Sequence, residues 1–528
     1  MAEPEIEPIW WLPTFGFFLF LFLGLWMFFS PEAANSIFED PGVGRHLRTA
    51  EVILETGLVP RTDPLSYTHA GEPWFDFEWG FETTIGELYR LGGLALVCAF
   101  GYGLFASAVL GVYRTLLQSG FSLTVVLLYT GLAFLTLHLH FAVRPLLFTY
   151  LFMALVVEVW NQRTVPLKRD WIILPIVFAA WANLHAGWLA ALLFLGLAMF
   201  GRLIDRLTGQ VDGDAAPLIP WIGLTLLCAL ATVLNPWGWT LHHHVVLLAT
   251  TYKSFALWDE FLPPNFSTPT MSALAILFIV FVVFLTRACK NAPRWRAEAL
   301  VPVLFFLFEG LKTQRHVLLL VIVAAVPVAR DLEVLLHGTW MPFVRERLRD
   351  FQEQQRYSRI DAALALVVVL LFACLFGHTP LGQNIQVGKS VTPQLVSFLQ
   401  AHPDRFHRPL TTTANAGPLL WNMRPAFRVS MDDRGDFYGD PAVFAFVDMD
   451  MGKGIAGSGE KTTWRTTLDQ GNYDSAILDP YLPLNQLLHL QPDWHEVYRD
   501  DHAVVYWRDI PPHPFFFERP PFNGHRWP

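Results

Sequence analysis

Apolar runs of span length, or nearly so, recur from residue 9 to residue 376, with polar loops between them. They are Ile9–Phe29, Leu91–Leu117, Leu123–Leu137, Pro145–Trp160, Trp171–Ala182, Trp188–Leu203, Pro217–Leu234, Ala273–Leu285, Leu300–Phe308, His316–Val328 and Ala362–Phe376. A membrane helix needs about 20 apolar residues, so the shorter runs must borrow semi-polar neighbours or kink. The pattern predicts about eleven spans, an odd number that puts the chain ends on opposite sides. After Gly377 the periodicity changes. Strand-length apolar stretches at Arg428–Met431, Ser475–Leu478, His495–Tyr498 and Ala503–Trp507 alternate with helical ones at Pro393–Ala401, Pro441–Met451 and Leu484–Leu490. The expected fold is therefore mainly α, a polytopic transmembrane helix bundle followed by a small extracytoplasmic α/β domain. The expected boundaries are 1–377 for the bundle, with a polar outer loop at 30–79, then 378–510, then a Pro- and Phe-rich tail at 511–528.

The outer loop carries its own helix. Leu47, Ala50 and Leu54 are spaced as one helical face, with Arg45, Arg48, Glu51 and Glu55 between them. Gly57 stands at the C-cap position and Pro60 ends the run. The loop returns to the bilayer through Asp76, Glu78 and Trp79.

Composition agrees with a bilayer. Of 528 residues 53% are hydrophobic and 16% charged, against about 25% charged in soluble domains. Mean hydropathy is +0.36. A net charge of −9, without a basic patch, excludes a nucleic-acid partner. The four cysteines have no metal or disulfide spacing. The acidic N-terminus lacks a signal-peptide n-region, so the first run reads as an uncleaved helix. One set of loops, from Arg114 to Arg359, is roughly twice as rich in Lys and Arg as the other, which makes it cytoplasmic. The expected localisation is a multi-pass inner membrane, N-terminus cytoplasmic and C-terminal domain outside. Asp331–Arg359 reads as a basic amphipathic segment on the inner surface.

Chemistry-bearing residues gather on the opposite, outer face. Asp40 and Glu78 flank the loop helix, and Arg144, His185, Asn235, Glu260, Lys312, Arg315 and His316 stand where spans emerge. A carboxylate can take a proton from an attacking hydroxyl. Arginines, lysines and histidines can hold a departing phosphate. This assigns Asp40 and Glu78 to catalysis. Arg144, Lys312, Arg315 and His316 are assigned to a donor phosphate, and His46, His185 and Asn235 to the pocket. Plainer roles compete residue by residue. Asp40 suits a helix N-cap, Glu78 a pair with Arg90, and Arg144 an interfacial anchor. The run His242–His244 points in different directions on a helix and does not make a metal site. Asp432-Asp433-Arg434 reads as a turn with local ion pairs. No cofactor is called for, and a divalent ion bridging Asp40 and Glu78 stays open as an alternative.

Asp40 with Arg45-His46-Leu47-Arg48-Thr49-Ala50 and Pro60-Arg61-Thr62-Asp63-Pro64 resembles the first outer loop of GT-C-type membrane glycosyltransferases. The likeness extends through Glu78-Trp79, Arg144-Pro145, Asn183-Leu184-His185-Ala186-Gly187, Asn235-Pro236-Trp237-Gly238-Trp239 and Asp433-Arg434-Gly435-Asp436. Within that group the chain is most similar to bacterial proteins with lipopolysaccharide galacturonosyltransferase-like (Rgt-type) domains. Arg45 replaces an expected tryptophan, and His185-Ala186-Gly187 an expected His-Gly-Gly. The resemblance implies an extracytoplasmic site, a polyprenyl-phosphate sugar donor, an acceptor of lipid, glycan or protein, and the first-loop aspartate as base. The rival expectations are a scaffold subunit that keeps the fold without catalysis and, more remotely, a transporter.

Overall fold

The computed structural model describes residues 13–29, 37–138, 141–210, 217–265, 296–336, 361–376, 387–388, 390–454 and 464–509. In chain order the bundle contains α1 (Phe15–Phe29), α2 (Pro41–Thr56), α3 (Trp79–Gln118), α4 (Leu123–Leu137), α5 (Leu146–Gln162), α6 (Asp170–Ala182) and α7 (Trp188–Leu207). It continues with α8 (Ile219–Ala231), α9 (Thr240–Thr250), two short 3₁₀ turns at Ser254–Leu257 and Asp259–Phe261, α10 (Ala297–Lys312), α11 (Gln314–Val323), α12 (Ala325–Leu336) and α13 (Asp361–Phe376).

Of these, α3 and α7 are long and apolar enough to cross a membrane, and seven shorter helices are apolar. The count of about eleven spans rests on the shorter helices and on Ala273–Leu285, which lies outside the described residues. So do the tail at 511–528 and most of the basic segment after Leu336. The bundle core includes Tyr102, Phe105, Tyr129, Tyr150, Trp181 and Trp221. Its outside displays Phe22, Ile172, Ile176, Leu226, Leu230 and Leu366, each at least 60% exposed. In water such a display invites association, whereas lipid solvates it.

Helix α3 is broken at Gly92 and Gly93, where φ and ψ leave the helical region. Its first segment carries Gly86 against Ala50 and Leu54 of α2. Asp40 caps α2 by accepting from the Gly42 amide at 2.8 Å, Pro41 opens the first turn, and the Gly57 amide closes it on Ile53. The expected helix is present and runs from Pro41 to Thr56. Its expected polar face is not solvated, however. Arg45, Arg48, Thr49 and Glu51 are buried along with the apolar side, because the C-terminal part of the chain covers them.

That part comprises α14 (Pro393–Ala401), β1 (Pro409–Thr411), α15 (Thr413–Asn422), α16 (Gly435–Asp450), α17 (Trp464–Gly471), β2 (Ser475–Leu478), α18 (Pro483–His489), β3 (Trp494–Arg499) and β4 (Val504–Arg508). The sheet order is β1-β2-β4-β3, with β1 parallel to β2 and the other pairs antiparallel. The expected strand at Arg428–Met431 does not join it. Val429 instead bonds through its backbone to Leu65 and Tyr67 of the outer loop, a single bridge away from the sheet. β1 and α15 were not expected; three residues show no alternation to read.

Two contacts lock the C-terminal part onto the loop. A Cβ on Gly44 would overlap the Gly417 carbonyl, and one on Gly417 the Pro41 carbonyl, so α2 and α15 touch backbone to backbone. Arg434, buried over the Trp74 ring at 4.5 Å, donates to Asp63 at 2.8 Å and Asp432 at 2.6 Å. Overpacking a close contact typically costs about 1–3 kcal/mol. Gly417→Val should therefore lower the thermal midpoint of the purified protein clearly, and Leu490→Ala, at an exposed site, should not. Equal midpoints would contradict this packing.

Candidate functional site

The capping turn leaves the second oxygen of Asp40 free to face another segment. Its Oδ2 lies 3.1 Å from Arg144 Nε. Arg144 extends to Glu260 in the second 3₁₀ turn, at 2.7 Å, and Glu260 in turn pairs with Arg315 at 3.3 Å. Arg315 lies over the Phe261 ring and reaches His185 Nε2 at 3.3 Å. The side chains of Asp40, Glu78 and Glu260 are each 18% exposed. They line an accessible recess rather than a sealed core.

A second arm starts at α2. Arg45 donates to Asp433 at 2.6 Å and approaches Glu82 at 3.5 Å and Glu78 at 4.0 Å. Arg45 Nη2 also lies 3.1 Å from His46 Nε2. A guanidinium only donates, so His46 accepts at Nε2 and its Nδ1–H donates to Glu82 at 2.9 Å. Burial, then the charges of Arg45 and Arg144, push His46 well below the usual histidine range. The imidazole is neutral.

His185 is held by a chain of donors. Trp181 donates to the Thr149 hydroxyl at 3.0 Å, and that hydroxyl meets His185 Nδ1 at 2.7 Å. The Gly187 amide donates to the same nitrogen at 3.0 Å. The other nitrogen, Nε2, looks towards Glu78 at 4.0 Å and faces an Arg315 nitrogen at 3.3 Å. Burial, then Arg315, lowers the His185 pKa to about 3.

Burial raises Asp40 above the ordinary carboxylate range, against the pull of Arg144. Burial likewise raises Asp76 to about 6 and Glu78 to about 7, with Arg45 opposing it at Glu78. Burial alone would raise Asp433 too, but Arg45 holds it below 3.8.

Of the expected residues, Asp40, Glu78, Arg144, Arg315, His46 and His185 meet in this network. Lys312 is exposed at the end of α10; among the described residues it makes no hydrogen bond or ion pair with the cluster. His316 turns to Glu309 at 3.5 Å and is 40% exposed, since adjacent residues on a helix diverge. Asn235 donates to Thr232 and Gly238 and accepts from Trp237, so it builds a turn. Glu78 does not pair with Arg90, which bonds Glu87. Asp433 and Glu82 were not assigned. The four-residue step from Glu78 to Glu82 on one helix was the available signal. Asp40 and Glu78 have different partners, and no group of three or more metal-ligating side chains occurs among the described residues.

No protein-family model and no curated protein matches the sequence. Solved structures do. The Archaeoglobus fulgidus oligosaccharyltransferase tethered to an acceptor peptide superposes with a TM-score of 0.54 at 12% identity, covering 88% of this chain and 69% of that one. The same enzyme with an inhibitory peptide and a dolichol-phosphate gives 0.53 at 10% identity over the same shares. ArnT from Cupriavidus metallidurans gives 0.44 at 14% identity, covering 93% and 97%. The chain shares its overall fold with the archaeal oligosaccharyltransferase. The finer likeness to Rgt-type domains has no counterpart among these structures.

The raised Glu78 has a consequence for stability. Between its ordinary value of 4.5 and about 7 the folded chain holds a proton that the unfolded chain has released. Stability therefore falls as pH rises through that window. Glu78→Gln should remove this contribution, so that the drop in melting temperature from pH 5 to pH 8 is smaller than in wild type. An unchanged drop would reject the shift.

Proposed function

We propose that the protein is a membrane glycosyltransferase that moves a sugar from a polyprenyl-phosphate donor to an acceptor outside the cytoplasm. One observation carries the reading. Glu260 bridges Arg144 and Arg315, and Arg144 also holds Asp40, so a carboxylate base and two guanidiniums surround one anion-sized position. A lipid phosphate entering there would replace the Glu260 carboxylate as the acceptor shared by Arg144 and Arg315. The archaeal oligosaccharyltransferase with this fold type binds a dolichol-phosphate, which supports the same class of donor.

In this reading Asp40 accepts the proton of the acceptor hydroxyl as that oxygen attacks the anomeric carbon. The sugar–phosphate bond breaks on the opposite side, and the phosphate leaves onto Arg144 and Arg315. Burial of Asp40 makes it a better base than an exposed carboxylate. Its activity is lost as pH falls through the raised value.

Asp40→Asn should lower transfer from a labelled polyprenyl-linked sugar in membranes by about 10²–10⁴-fold. Arg315→Ala removes a charge-assisted bond to the phosphate and should weaken donor binding about 10- to 100-fold. If wild type is active and Asp40→Asn transfers at the same rate, Asp40 is not the base.

A further inference from the structure

Beside the ionic cluster lies a cavity of about 310 Å³ between the outer loop, the Trp237–Tyr252 segment and the start of α16. We infer that this cavity is a saccharide subsite, which binds one pyranose ring of the acceptor. That it is the acceptor's ring rests on the transferase reading; that it binds a sugar does not.

The volume lies at the lower end of small-molecule sites and suits one ring rather than a lipid tail. Its walls are aromatic, from Phe75, Trp237, Tyr252 and Phe437. The C–H face of a pyranose packs on such rings, and Tyr252 and Phe437 are the two not stacked within the wall itself. Its polar groups are of both kinds, as a polyol needs. Arg61 is a donor, Asp436 an acceptor, and His244 Nε2 lies 3.1 Å from Asp436 Oδ2. Arg61 and Asp436 balance in charge, so the pocket favours neither a strong cation nor an anion.

The wall is rigid. His244 stacks on Phe75 at 4.7 Å with 12° between planes, Phe75 stacks on Trp237 at 5.0 Å, and Arg61 lies over Trp237 at 4.6 Å. Arg61 further donates to the Pro236 carbonyl at 2.9 Å. These contacts keep the side chains from collapsing into the space, so binding meets a preformed surface.

Its place relative to the site is fixed by the chain. Phe75 is three residues before Glu78, and Asp433 three before Asp436. Three residues span at most about 11 Å. The backbone that lines the cavity is therefore within about 11 Å of the backbone that carries Glu78 and Asp433, within reach of an acceptor longer than one ring.

The test is equilibrium binding to the full-length protein in detergent, by saturation-transfer NMR and tryptophan fluorescence. The probes are the methyl glycosides of glucose, galactose, N-acetylglucosamine and galacturonic acid, with a phenylalanine-containing tripeptide as a non-sugar control. At least one glycoside should bind saturably. Asp436→Asn and Phe437→Leu should each weaken it at least tenfold, and Leu490→Ala, at an exposed site outside the cavity lining, should leave it within twofold. Phe437 is partly exposed, so its leucine variant keeps the proposal testable if Asp436→Asn disturbs the fold. No saturable glycoside binding by wild type, unchanged binding in both pocket variants, or tighter binding of the tripeptide would overturn the subsite. If wild type binds a glycoside saturably but Asp40→Asn transfers as fast as wild type, the transferase reading fails and the subsite stands; if Asp40→Asn abolishes transfer but wild type binds no glycoside, the subsite fails and the transferase reading stands.

Discussion

Two guanidiniums sharing one carboxylate is the constraint on which the arrangement turns. Arg144 follows α4, Glu260 sits in a short turn after α9, and Arg315 opens α11. These positions are far apart in the chain, and each charge would be costly in a low-dielectric recess without the others. Satisfying them together fixes where the spans end relative to one another. Asp40 is drawn into the same register through Arg144, so the loop helix it caps is oriented by electrostatics as well as by packing.

Asp40 need not be either a cap or a functional group. Oδ1 serves the Gly42 amide and Oδ2 faces Arg144. The cap orients the carboxylate, because a side chain bonded to its own helix start has little rotamer freedom left. Thr149, itself held by Trp181, and the Gly187 amide do the same for His185 at Nδ1. In both cases a local bond fixes the direction in which the side chain's other polar atom points.

Most of the helices were legible because hydrophobic runs and caps are local signals. Gly57 after Thr56 and the Pro at position 41 mark α2 without any knowledge of the rest. Its burial was not legible. Arg45, Arg48 and Glu51 look like a solvated face until α15 is laid over them, and only the glycines at 42 and 44 hint at a close neighbour. The same limit separates the site residues. Arg315 and His316 are adjacent in sequence and equivalent in composition, yet the helical turn sends one into the cluster and the other to Glu309. Asn235 is ambiguous in sequence, because building a turn, as its amide does here, and binding a ligand use the same group. Arg428–Met431 has strand-like composition, but composition does not name its partner, which is a loop.

The break in α3 bears on how tolerance to substitution should be read in this chain. Gly93 has φ of 63° and ψ of −162°, while a Cβ there would meet no atom within 4 Å. Its intolerance would come from the backbone alone, since side chains with a Cβ avoid that region. A saturation scan finding position 93 invariant on an otherwise permissive surface would be measuring conformational strain. It would say nothing about a ligand or a partner.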